Sequence, residues 1–137
     1  MAAPFVHTHR VRYHECDAQG IVFNANWFTF FDVTLTEWFR AAFGSYSALM
    51  DEHGVDIVLA ETTARFRGSA RFDDELDISA EVERVGTTSM VALFTARRDG
   101  EELVAGRTVY VFVDTKTLGK RPIPDAVRDG LAPYVAG

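Results

Sequence analysis

The longest apolar pattern in the chain runs over residues 24–43 and predicts a helix. One face carries apolar residues at helical spacing, namely Trp27, Phe31, Leu35, Trp38 and Ala42. Further apolar residues intrude on the opposite arc. Because such a helix is apolar over most of its circumference, we expect it to be enclosed at the centre of the fold. Asn24 or Asn26 is its predicted N-cap, and Gly44 its predicted C-terminal stop.

β-branched and aromatic segments on both sides of this helix predict five strands. The first covers 5–14, and the others follow a short predicted helix at 45–53, over 55–68, 75–85, 88–98 and 102–114. Asp99-Gly100 is typical of a tight hairpin turn. Because a parallel crossover needs about a dozen residues or more, the short connections predict antiparallel pairing between consecutive strands. A last short helix is predicted over 125–131.

This order of elements predicts an α+β fold, in which an antiparallel five-stranded sheet wraps around a long central helix. One such sheet cannot surround so apolar a helix. We therefore expect a partner subunit to cover part of the helix or the outer face of the sheet. No repeat, low-complexity tract or linker divides the sequence, so residues 1–137 are predicted to form a single domain.

Composition and charge narrow the class of protein. The formal net charge of −6 argues against a nucleic-acid binder, which needs a basic face. No segment has the pattern of a signal peptide or the length of a membrane span. The single cysteine, Cys16, cannot form an internal disulfide. These features predict a cytoplasmic protein.

The segment YHECDAQGIVFNANW, residues 13–27, carries the most specific motif. An aromatic and an acidic residue precede Asp17, a glycine and small apolar residues follow it, and an Asn-Trp pair opens the helix; the matching residues are Tyr13, Glu15, Gly20, Ile21, Val22, Phe23, Asn26 and Trp27. This motif resembles that of the hotdog-fold acyl-CoA thioesterases, and among them the 4-hydroxybenzoyl-CoA thioesterase-like family. SARFDDELDI and KRPIPDAVRDGL resemble later segments of the same family.

The resemblance implies hydrolysis of an acyl- or aryl-CoA thioester. Asp17 would carry the chemistry, and the backbone N–H of Asn24, with that of Phe23 as a further candidate, would polarise the thioester carbonyl. The implied substrate-binding residues are Gly20, Val22, Asn26, Trp27, Ser89 and Arg84. The resemblance also implies a homotetramer, a dimer of dimers with active sites between subunits. It implies no metal and no cofactor, since coenzyme A enters as part of the substrate.

Elementary chemistry is consistent with this site. Unsatisfied N–H groups at a helix N-terminus can stabilise a developing oxyanion without a charged side chain. Asp17 can attack the acyl carbon directly or deprotonate a water molecule, and the sequence leaves both routes open. An acid–base Asp/His pair of a hydratase is disfavoured, because no histidine occurs between Cys16 and Met50.

Two alternatives concern the acyl donor and the activity itself. The family often has basic residues in the turn before the fourth strand, whereas this chain has Gly86-Thr87-Thr88-Ser89 there. An acyl carrier protein is therefore an alternative donor, and a non-catalytic acyl-binding module is an alternative function. Other cations that could contact coenzyme A phosphates are Arg84, Arg97, Lys120 and Arg121.

The remaining candidate side chains have simpler predicted roles. Cys16 is predicted to be a half-buried packing residue. His7 and His9 are predicted to face solvent from the first strand, because two ligands do not make a closed metal site. Glu15, at the predicted strand end, and Asp32, on the polar arc of the helix, are second-choice acids.

Overall fold

One five-stranded antiparallel sheet carries a long helix on its concave side. The computed structural model describes residues 3–136. Its elements are β1 (Phe5–Arg10), α1 (Asn26–Phe43), α2 (Tyr46–His53), β2 (Val55–Phe66), β3 (Glu75–Val85), β4 (Ser89–Arg98), β5 (Glu101–Asp114) and α3 (Asp125–Leu131). The strand order is β1-β3-β4-β5-β2, with every pair antiparallel. The predicted α+β architecture is therefore confirmed.

The helix α1 packs against the sheet through its predicted apolar face. Trp38 and Phe39 are fully buried, and the ring of Phe31 stacks on Phe94 of β4 with centroids 5.1 Å apart. Phe31 also lies over Gly106 of β5, where an added Cβ would be only 2.5 Å from the ring. The absence of a side chain at 106 therefore lets α1 approach the sheet closely.

The first strand is shorter than predicted. β1 ends at Arg10, and Tyr13–Glu15 form a turn of 3-10 helix. The N–H of Val11 still bonds to the carbonyl of Asp74 at 2.9 Å, but the next N–H, of Arg12, bonds to the Glu15 side chain. A side-chain acceptor thus replaces the strand partner and turns the chain away from the sheet.

Pairing between consecutive strands is confirmed for β3, β4 and β5 and is wrong for β2. β2 lies beside β5, while β1 lies beside β3. The connecting residues 67–74 cross the end of the sheet: the N–H groups of Arg67 and Gly68 both donate to the carbonyl of Leu103. This crossing places β1 and β2 at opposite edges, so the sheet can curl around α1.

Turns occur where the sequence predicts them. Asp99 and Gly100, with φ values of 51° and 81°, form the tight connection between β4 and β5. Helix α1 ends at Gly44, as predicted. Within residues 3–136, no helix combines the length and the apolar character needed to cross a membrane.

Candidate active site

Asp17 lies at the base of a tight turn held by backbone hydrogen bonds. Its N–H donates to the carbonyl of Ile21, and its own carbonyl accepts the N–H of Gly20, both at 2.9 Å. Gly20 has a φ of 77°, which favours glycine, and the Arg71 guanidinium lies 3.7 Å from where a Cβ would be. One oxygen of Asp17, Oδ1, accepts the N–H of Gln19 at 2.8 Å. Within residues 3–136 the other oxygen accepts no hydrogen bond, so it is available to a substrate.

The chain enters α1 through a series of tight turns. The N–H of Asn26 donates to the carbonyl of Phe23, and the N–H of Trp27 donates to that of Asn24. The N–H groups of Asn24 and Ala25 have no hydrogen-bond partner in the described part of the chain. These are the unsatisfied donors expected at a helix N-terminus, and the partial positive charge of the helix adds to them.

The predicted N-cap is wrong. Ala25 occupies the N-cap position and offers no side-chain hydrogen bond. Asn26 is instead the first residue of the helix, and its Nδ2 donates to the backbone carbonyl of Glu15 at 2.8 Å. The N–H of Phe23 donates to the same carbonyl at 3.0 Å. The Phe23 N–H is therefore occupied, so of the two predicted oxyanion donors only the Asn24 N–H remains available.

Glu15 is buried and lies in the 3-10 turn, not at the end of a strand as predicted. Its Oε1 accepts the N–H of Arg12 at 2.6 Å and lies 3.0 Å from Nε2 of His9. The His9 side chain is only 11% exposed and packs against Phe30 of α1, with ring centroids 4.4 Å apart. The prediction that His7 and His9 face solvent is wrong, because both residues are half-buried and the His9 ring packs against α1. Burial also lowers the pKa of His7.

A groove of about 660 Å³ runs along β1, and His9 and Glu15 are part of its lining. Its lining includes Arg12, Tyr13 and His14 on one side and Val33 of α1 on the other. Tyr13 is 79% exposed and meets Phe72 edge to face. The described residues contain no group of three or more His, Cys, Asp or Glu side chains that could hold a metal ion.

A second polar group lies on the β2 side of α1. Asp32, Tyr46 and Tyr110 line a cavity of about 270 Å³. Burial raises the pKa of Asp32, and burial together with the Asp56 carboxylate raises the pKa of Tyr46 to about 12. The Tyr110 hydroxyl is buried and has no hydrogen-bond partner in the described part of the chain. Both tyrosines are therefore neutral hydrogen-bond donors near pH 7.

The other predicted binding residues do not all reach Asp17. Val22 and Trp27 are 4% and 2% exposed and belong to the core. Their role in substrate binding stays a prediction. Arg84 and Ser89 lie beside the turn that joins β3 to β4. The Asp17 turn lies near the other end of β3, because the N–H of Val22 donates to the carbonyl of Ala70, shortly before β3 begins. The span of β3 between these ends is roughly 30 Å.

Comparison with known proteins identifies the family of the chain. The family model of the thioesterase-like superfamily matches residues 11–131. The chain belongs to the thioesterase-like superfamily. A curated relative, the acyl-CoA thioester hydrolase YbgC of Escherichia coli O6:H1, is 33% identical over 121 residues, covering 86% of this chain and 88% of the relative. The predicted resemblance and the predicted enzyme class, a thioester hydrolase, are confirmed.

Solved structures of thioesterases share the fold. A superfamily member from Jannaschia sp. CCS1 has a TM-score of 0.91 at 21% identity, covering 98% of this chain and 95% of its own. Slr0204 from Synechocystis, a 1,4-dihydroxy-2-naphthoyl-CoA thioesterase, has a TM-score of 0.85 at 14% identity, covering 94% and 96%. At these identities the likeness concerns the fold alone, and it confirms the hotdog class.

The buried His9–Glu15 contact was not predicted from the sequence. The signal was present in the period of two along β1, because His9 shares its face with Phe5 and Val11. Val11 is 1% exposed, so this face is the inner one. In this member of the thioesterase-like superfamily, a histidine on that face needed a polar partner in the core, and Glu15 was the nearest acidic residue along the chain.

Proposed function

We propose that the chain hydrolyses acyl-CoA thioesters, with Asp17 as the reacting carboxylate and the Asn24 N–H as the donor to the carbonyl. One observation carries this proposal: among residues 3–136, one oxygen of Asp17 and the N–H of Asn24 have no hydrogen-bond partner, and hydrogen bonds from Asp17 to Ile21 and from Phe23 to Glu15 hold the two groups in one short segment. The name of the E. coli relative supports an acyl-CoA as substrate.

Two routes lead to the same products. In the nucleophilic route, the Asp17 oxygen attacks the acyl carbon, the C–S bond breaks, and coenzyme A leaves as a thiolate that takes up a proton; water then hydrolyses the mixed anhydride. In the general-base route, Asp17 takes a proton from water as the water oxygen attacks the acyl carbon; the C–S bond then breaks, and coenzyme A leaves as a thiolate that takes up a proton. In both routes negative charge develops on the carbonyl oxygen, where the Asn24 N–H at the start of α1 stabilises it.

The proposal includes a cytoplasmic homotetramer of one-domain subunits, with active sites between them. Support comes from β2, an edge strand with exposed Val58 and Leu59, 41% and 54% accessible. An unpaired apolar edge is a common site of subunit pairing. Further support comes from the separation between Asp17 and Ser89, because a second copy could bring its own Arg84 and Ser89 to the substrate.

The decisive experiment measures thiol release from a panel of short, medium, long and aromatic acyl-CoAs. Wild-type protein should release coenzyme A from at least one of them. Asp17→Asn should stay folded and lose nearly all turnover, while Asp129→Asn, a matched change at an exposed position of α3, should keep it. Full activity of Asp17→Asn would reject the assigned carboxylate.

The same panel tests the acyl carrier protein as donor. This alternative is favoured by the lack of basic residues in the turn 86–89. Matching acyl groups should be presented on coenzyme A and on acyl carrier protein. Higher kcat/KM with coenzyme A supports the proposal, whereas equal or exclusive use of the carrier protein contradicts it.

A further inference from the structure

His9 and Glu15 form a contact that the proposed chemistry does not use. Both side chains are about one-tenth exposed, at 11% and 10%. A carboxylate at this depth needs hydrogen-bond donors, and Glu15 has two, the Arg12 N–H and the His9 ring. The ring is itself held against Phe30 of α1. The Glu15 side chain is thus held by His9 of β1 and by the Arg12 N–H of its own turn. The His9 ring in turn packs on α1.

The backbone of Glu15 joins the two halves of the candidate active site. Its carbonyl accepts hydrogen bonds from the N–H of Phe23 and the Nδ2 of Asn26, two residues that flank the candidate donor Asn24. Asp17 follows Glu15 by two residues. A rotation of Glu15 would therefore move the carboxylate and the N–H donor relative to each other.

We propose that His9 and Glu15 are a positioning pair, which keeps Asp17 and the Asn24 N–H in the geometry that thioester hydrolysis requires. This inference rests on the proposed function. Neither side chain is one of the proposed reacting groups. The pair acts by fixing the Glu15 carbonyl, so its loss should reduce the rate of the chemical step more than the binding of substrate.

The test compares three substitutions on the inner face of β1. His9→Leu removes the donor to Glu15 and keeps an apolar side chain against Phe30. His9→Gln keeps an N–H donor at nearly the position of Nε2. His7→Leu is the matched control, because His7 lies on the same face of the strand and makes no hydrogen bond to Glu15.

Kinetic measurements should distinguish a positioning role of the pair from a purely structural role. For His9→Leu we expect kcat per folded molecule to fall on the order of tenfold to a hundredfold, with KM within about twofold of wild type. His9→Gln should recover most of this loss, and His7→Leu should show none. A merely structural pair would lower the melting temperature and leave kcat per folded molecule unchanged, and that result overturns the proposal.

Amide hydrogen exchange gives a readout that does not depend on activity. The Phe23 N–H bonds to the Glu15 carbonyl, so its exchange should be about tenfold faster in His9→Leu than in wild type, and unchanged in His7→Leu. Unchanged Phe23 exchange in folded His9→Leu overturns the positioning role. If wild type hydrolyses no thioester, the proposed function fails, while Phe23 exchange still decides whether His9 fixes this segment.

Discussion

The side-chain amide of Asn26 donates to the backbone carbonyl of Glu15 at 2.8 Å. The first residue of α1 is thereby fastened to the segment that carries Asp17. Two parts of the site that could move separately, a turn and a helix terminus, are held together by this bond and by that from Phe23. The geometry of the candidate site thus depends on a backbone carbonyl as much as on any reactive side chain.

Removing the Asn26 bond should weaken both stability and activity. In Asn26→Leu, a change of similar size, the Glu15 carbonyl keeps only its Phe23 partner. We expect the free energy of unfolding to fall by about 1 kcal/mol and kcat to fall with it, measured by urea unfolding and thiol release. Asn24→Leu is the control, because the exposed Asn24 side chain makes no hydrogen bond among residues 3–136. Equal changes in unfolding free energy and kcat in the two variants would contradict a role for the Asn26 hydrogen bond.

The Asn24 prediction concerns a backbone group. Asn24→Ala keeps the N–H and should retain at least half of the wild-type kcat. Asn24→Pro removes the N–H, and kcat should fall by about a hundredfold or more, as for loss of one oxyanion donor. Circular dichroism melting checks that both variants are folded. A folded Asn24→Pro with wild-type turnover would show that another group polarises the carbonyl.

Asp74 should make stability depend on pH. Burial alone would raise its pKa, but hydrogen bonds from the Arg71 N–H and the Arg98 guanidinium outweigh burial and hold the pKa of Asp74 below its ordinary value of 3.8. A carboxyl group with a lower pKa in the folded state stabilises the fold above its unfolded pKa. This contribution is lost as the pH falls through the folded pKa.

The substitution Arg98→Gln tests this dependence. At pH 7 it should lower the free energy of unfolding by about 1 kcal/mol or less, because solvent screens the partly exposed pair. The difference in unfolding free energy between Arg98→Gln and wild type should shrink as acid protonates Asp74. Urea unfolding across a pH series measures it, with Arg65→Gln as a control whose guanidinium makes no ion pair within residues 3–136. A difference that stays constant through the acid range would contradict the assignment.

The free edge of β2 should determine the oligomeric state. We expect wild-type protein to sediment as an oligomer, and Leu59→Lys to shift it toward smaller species, because a charge on an edge strand opposes pairing. Leu118→Lys places the same charge at an exposed position outside the sheet and should leave the assembly unchanged. A wild-type monomer at micromolar concentration, or equal sedimentation of all three proteins, would contradict assembly through this edge.

The sequence predicted those features that depend on local pattern. The period of apolar residues located α1 to within two residues of its start, and Asp99-Gly100 located the β4–β5 turn. The strand order was harder to predict. β2 pairs with β5 across a large separation in sequence, and no local pattern specifies such a partner. Asp17 was found through its motif, and its part in catalysis stays a prediction. The His9–Glu15 contact was missed because histidine is compatible with either face of an edge strand.

The contact between Phe31 and Gly106 has a consequence for how this site can vary between proteins. The ring sits where any larger residue at 106 would need to place its Cβ. A side chain there would lift the helix from the sheet and carry the start of α1 with it. Substitutions at these two positions are therefore coupled: a bulkier residue at 106 is tolerated only together with a smaller one at 31. Substitutions at these two buried positions can therefore change the distance between the start of α1 and the Asp17 turn.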